Sequence, residues 1–139
     1  MSETAVAVDQ QMISLVLPSI PESVRIARFH VRAALGFHGL DEYADAAVMI
    51  TSELVTNAIR YVGEDPGETI KVTLAHVWDL VALGIIVTDS SPESPVMRET
   101  SATSERGRGL QVVEALSDYW GWHPKTGGKA VFAVIVKKR

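Results

Sequence analysis

Leu40, Tyr43, Ala47, Ile50, Leu54, Ala58 and Tyr61 recur at spacings of three and four, the period at which a helix returns a side chain to the same face. This stripe predicts a helix from about Asp41 to Tyr61 with one apolar side, which needs a second layer to cover it. Two candidate strands follow. Ile70, Val72 and Leu74 alternate within Thr69–Val77, Leu80–Thr88 is a further apolar run, and Asp79 is a turn residue between them, so a hairpin is expected.

The rest of the chain fills in around that unit. Residues 12–17 (MISLVL) predict a first strand closed by Pro18, and a helix follows from Pro21 to about Phe37. Its apolar positions Val24, Ala27, Phe29, Val31, Ala34 and Leu35 are imperfectly spaced, and Gly36 and Gly39 break it. Residues 62–67 are a predicted loop. Residues 90–106 are polar and broken by prolines, and a structureless stretch of that length points to function. A helix from about Arg108 to Leu116 and strands at Asp118–His123 and Lys129–Val136 complete the order. The expected fold is an α/β (α+β) sandwich, its sheet mixed but mostly antiparallel, with helices on one face. Residues 1–11, small and polar, are expected to form a disordered tail, leaving 12–139 as a single domain.

Composition excludes several functions. The 139 residues carry 13 Lys and Arg against 17 Asp and Glu, a net charge of −4, which argues against nucleic acid as a direct partner. Lys137-Lys138-Arg139 is then a solvated tail. Without cysteine there is no disulfide, thiolate metal site or cysteine nucleophile. The start Met1-Ser2-Glu3-Thr4 lacks the basic and apolar regions of a signal peptide, and no apolar run approaches the ~20 residues of a membrane span. No membrane association and a soluble, cytoplasmic protein are expected. His30, His38, His76 and His123 lack metal-ligand spacing, and neither a G-x-S-x-G elbow nor a P-loop lysine motif occurs.

Chemistry concentrates in a few residues. Glu53 and Asn57 lie one turn apart on one helix face. Glu53 can act as a base while Asn57 offers an oxygen to Mg²⁺, a cation that keeps several waters and takes few protein ligands. The plain alternative is a solvent-facing Glu beside an ordinary helical Asn, although Asn is a poor helix-interior residue. Asp89 ends an apolar strand, where a carboxylate can accept from the exocyclic amine of adenine; it can equally initiate a turn into Ser90-Ser91-Pro92. In Gly107-Arg108-Gly109-Leu110 the glycines admit a ligand to the backbone of a Gly-rich turn. The following helix start favours anions, and Arg106 and Arg108 add cations. A hinge with a helix cap explains the same residues. Lys129 can reach phosphate, or be a surface lysine in a turn.

In order and spacing, Ser52-Glu53-Leu54-Val55-Thr56-Asn57-Ala58-Ile59-Arg60, Val87-Thr88-Asp89-Ser90-Ser91-Pro92, Glu105-Arg106-Gly107-Arg108-Gly109-Leu110-Gln111-Val112-Val113 and Trp120-Gly121 resemble the ATPase superfamily of histidine kinases, gyrase and mismatch-repair ATPases. Within it the chain resembles the anti-sigma-factor serine/threonine kinases, especially compact ATP-binding regulators of actinomycetes. The resemblance implies Glu53 as general base, Asn57 as the Mg²⁺ ligand and Asp89 as adenine anchor. It also implies Ser91, Arg106, Gly107, Arg108, Gly109, Leu110 and Lys129 around bound ATP, with 90–106 as a lid. It further implies a homodimer acting on an anti-anti-sigma factor, a sigma factor, or both. The chain departs from the pattern at Ser91 and Glu93, which replace glycines, and around Lys129-Ala130, which replace a threonine. Two functions from different classes follow: a Mg-ATP-dependent protein kinase, or a non-catalytic, nucleotide-gated protein-binding module.

Overall fold

The computed structural model describes residues 6–93 and 105–138, with the backbone alone for 105–109. The chain runs β1 (Val8–Ser19), α1 (Glu22–Phe37), a short 3-10 turn (Asp41–Tyr43), α2 (Ala44–Val62), β2 (Asp65–Val77), β3 (Ala82–Asp89), α3 (Glu105–Leu116), β4 (Tyr119–Lys125) and β5 (Gly128–Val136). The five strands form one sheet in the order β1-β2-β3-β5-β4.

Every neighbouring pair is antiparallel, so the expectation of a mixed sheet is corrected. The reason is topological. Since β5 is antiparallel to both β3 and β4, those two run in the same direction, joined by a segment containing α3. The turn after β4 then inserts β5 between them, separating the one parallel pair the connection creates.

The α2 stripe falls where the periodicity placed it, burying Ala47, Ile50, Leu54 and Ala58 against the sheet core. On the same sheet face, β2 contributes Val72 and Leu74, β3 Ile85 and Val87, and β5 Val131 and Ala133. The opposite face gathers a smaller cluster of Ala75, Val77, Ala82, Phe132 and Val134. Helix α1 turns Ala27, Val31, Ala34 and Leu35 inward, but Phe29 is 69% exposed, contrary to the sequence expectation. Gly39, at φ 72°, ends α1, with Leu40 N–H donating to the carbonyl of Leu35, a glycine-terminated helix end. Gly36, expected to break the helix, lies inside it.

Two strands begin earlier than expected. The sequence placed residues 8–11 in a tail, yet they belong to β1, with Gln10 opposite His76 and Gln11 opposite Ala75. An edge strand needs only backbone partners, which β2 supplies, so the stretch carries no apolar alternation. Likewise Asp65–Gly67, read as loop, is the start of β2, where Asp65 pairs with Ser19. Ser19 Oγ also donates to the carbonyl of Gly63 at 2.7 Å, tying the end of β1 to the end of α2.

Candidate functional site

Helix α2 lies across the sheet so that its C-terminal half meets the end of β3. Period-two alternation directs Asp89 to the same face as Val87 and Ile85, and Lys129 to the same face as Val131 and Ala133. The β3–β5 register sets Asp89 directly opposite Lys129. Gly128 permits this approach: a Cβ there would collide with the backbone carbonyl of Asp89.

The two side chains meet inside the protein. Lys129 Nζ lies 3.0 Å from Asp89 Oδ1, and each side chain is 1% exposed. The same ammonium donates to the carbonyl of Ser91 at 3.4 Å and sits 4.4 Å from the centre of the Tyr61 ring. Asp89 Oδ1 also accepts the backbone N–H of Ser91 at 2.8 Å, the turn-initiating bond that aspartate often makes two residues on. Asp89 Oδ2 is buried without a hydrogen-bond partner. An orphaned buried acceptor costs about 1–3 kcal/mol, and this one points to a missing donor.

Asn57 completes the arrangement from α2, buried and one turn beyond half-buried Glu53. Leu54, Asn57, Ala58, Tyr61, Asp89, Lys129 and Val131 enclose a cavity of about 10 Å³, close to the least space that holds one water. Beyond Tyr61 and Ser91 opens a cleft of about 470 Å³ edged by Asp65, Glu68 and Glu93.

The structure brings together Asn57, Asp89, Ser91 and Lys129 among the residues singled out in the sequence. The alternative reading of Lys129 as a surface lysine in a turn is corrected: it is buried on β5 with its ammonium on Asp89. Its burial was legible in strand parity, because it alternates in step with Val131, Ala133 and Ile135. Tyr61, named only as part of the apolar stripe, is the wall residue that the sequence reading missed; its place one turn after Asn57 is the signal. Arg106, Gly107, Arg108 and Gly109 lie in the first turns of α3 rather than in a turn preceding it, because the helix opens at Glu105. Leu110 is 1% exposed, and α3 packs on α2. Most of the expected lid, 94–104, lies outside the described residues.

An adenine would find in Asp89 Oδ2 an acceptor for its exocyclic amine, and a phosphate-bound magnesium would find in Asn57 an oxygen. The chemistry of the donor set fits a nucleotide. The enclosed space does not admit a base while Lys129 stays where it is, because a base is many times larger than one water. Among the described residues, no group of three or more His, Cys, Asp or Glu could hold a metal ion by itself, and no helix is long and apolar enough to cross a membrane.

Residues 17–135 match the histidine kinase-like ATPase domain, and the chain belongs to that family. Its fold is similar to the crystal structure of the RsbU and RsbW domains of Rv1364c from Mycobacterium tuberculosis, with a TM-score of 0.66 at 20% identity. The similarity covers 89% of this chain but 31% of that longer one. No curated protein matches the sequence.

Proposed function

We propose that this chain is an ATP-binding regulator of the anti-sigma-factor type that transfers a phosphoryl group from Mg-ATP to a serine or threonine of an anti-anti-sigma partner. The observation that carries this reading is the meeting of Asn57 from α2 with Asp89 from β3 at one cavity, one turn from Glu53, where Asp89 Oδ2 lacks a donor. The similarity to the chain holding the RsbU and RsbW domains of Rv1364c supports the fold that this reading needs.

In this reading Asp89 holds the adenine edge through Oδ2, with Ser91 N–H fixing the carboxylate plane through Oδ1. Guanine presents an oxygen where adenine presents its amine, so the buried carboxylate favours ATP. Asn57 offers its side-chain oxygen to magnesium. Glu53 takes the proton of the attacking hydroxyl, a role typically worth 10²- to 10⁴-fold. Arg106, Gly107, Arg108, Gly109 and Leu110 belong to the phosphate end, where the first turns of α3 present a positive helix terminus. Mg-ATP, when bound, would supply the phosphoryl group, with the magnesium offsetting part of its charge. A homodimer in the cytoplasm, binding a sigma factor as well, completes the reading.

A second function rests on the Asp89–Lys129 pair. A pocket closed by its own lysine suits a module that changes its partner surface when nucleotide binds, without phosphate transfer. Calorimetry with Mg-ATP followed by radiolabelled transfer to candidate partners separates the two. Saturable binding with label transferred to serine or threonine is expected. Binding without transfer selects the module, and no binding at all removes both.

A further inference from the structure

We propose that Lys129 is an internal occupant of the base pocket and sets this chain's affinity for nucleotide. The inference rests on the ATP-site reading above. An ammonium and an exocyclic amine are both N–H donors, and here they compete for one carboxylate. Lys129 Nζ already takes Asp89 Oδ1 and the carbonyl of Ser91, and lies over Tyr61. With the lysine in place, the cavity among Asn57, Asp89 and Tyr61 is about 10 Å³, so a base enters only after the lysine leaves.

An exit exists. The lysine stem is flexible, and the adjoining cleft of about 470 Å³ is edged by Asp65, Glu68 and Glu93, whose carboxylates can receive the ammonium. The closed form thus competes with nucleotide as an intramolecular ligand. If the open form is about 0.1–10% of the molecules, the range common for minor states, apparent affinity falls by the same fraction, roughly 10- to 1,000-fold. Lys129 therefore separates two properties of one site: Asp89 supplies recognition, and Lys129 sets the nucleotide concentration at which recognition occurs.

The test is calorimetric titration of Mg-ATP into the full chain as wild type, Lys129→Thr and Lys129→Arg. Lys129→Thr removes the ammonium and leaves Asp89 free, so ATP should bind at least about tenfold more tightly. Lys129→Arg keeps a cation on the carboxylate and should bind no more tightly than wild type. Equal or weaker binding by Lys129→Thr overturns the role of Lys129 while leaving the ATP site standing. No binding by any of the three overturns both.

A wild-type measurement covers the case in which Lys129→Thr does not fold. Lys129 should resist acetylation by acetic anhydride, read by mass spectrometry, while exposed Lys71 and Lys138 react. Saturating Mg-ATP should raise its acylation rate at least about tenfold. Lys129 remaining protected while ATP is bound overturns the inference.

Discussion

The Asp89–Lys129 pair makes a sharp prediction about stability. Each side chain is 1% exposed and the two atoms are 3.0 Å apart, so neither charge has water to fall back on. Lys129→Met removes one charge and keeps the stem's volume, leaving a buried carboxylate with an unpartnered Oδ2. Breaking such a pair from one side costs about 3–5 kcal/mol. Asp89→Leu removes the partner of an ammonium that can move to the adjoining cleft, and should cost less, about 1–3 kcal/mol. For a chain of this size, the Lys129→Met loss lowers the melting temperature by roughly 10–17 °C. Replacing both together removes the stranded charge, so Asp89→Leu with Lys129→Met should lie within about 1 kcal/mol of wild type or above it. Urea unfolding of the four proteins measures the cycle, with constant m-values as the check that the unfolded states are comparable. Two single losses below about 1 kcal/mol, or a double loss equal to their sum within about 0.5 kcal/mol, would refute the burial of this pair.

Three further outcomes are expected. Glu53→Gln should cut phosphotransfer by about 10²- to 10⁴-fold while calorimetry shows ATP binding retained; wild-type transfer rates would remove Glu53 as base. The His76 pKa is lowered by burial, then by Lys137 and His38, with Asp9 opposing; its Nδ1 accepts from Lys137 Nζ at 3.2 Å. The unfolded chain therefore binds more protons below about pH 6.5, so stability should fall as pH drops from there to the folded pKa. His76→Gln should remove that slope from unfolding curves measured across pH 5 to 8. Gly121→Ala would put a Cβ 2.9 Å from the Phe132 ring tip, costing about 1–3 kcal/mol by overpacking. Phe132→Leu in the same chain should recover part of it.

The α2 stripe, the β2–β3 hairpin and the order of elements were legible because each rests on local periodicity. So was the grouping of Glu53 with Asn57, since one helical turn brings them to one face. The starts of β1 and β2 were not: Val8–Gln11 and Asp65–Gly67 become strand because backbone partners lie opposite them, and a polar segment gives no local sign of that. Phe29 misled for a related reason, since an apolar residue on a helix is buried only if some other element covers that side.

The chain's own order of residues determined that an acid and an amide share a helix face, that another acid ends a core strand, and that Lys129 alternates with core residues. Only the tertiary structure decided that this strand acid and that lysine meet. Their contact depends on β5 inserting beside β3 with Asp89 opposite Lys129, and the identity of a strand's neighbour is a property of distant chain segments. An ammonium displaced from water is then held by the carboxylate that the strand register sets opposite it, and that enforced proximity closes the pocket.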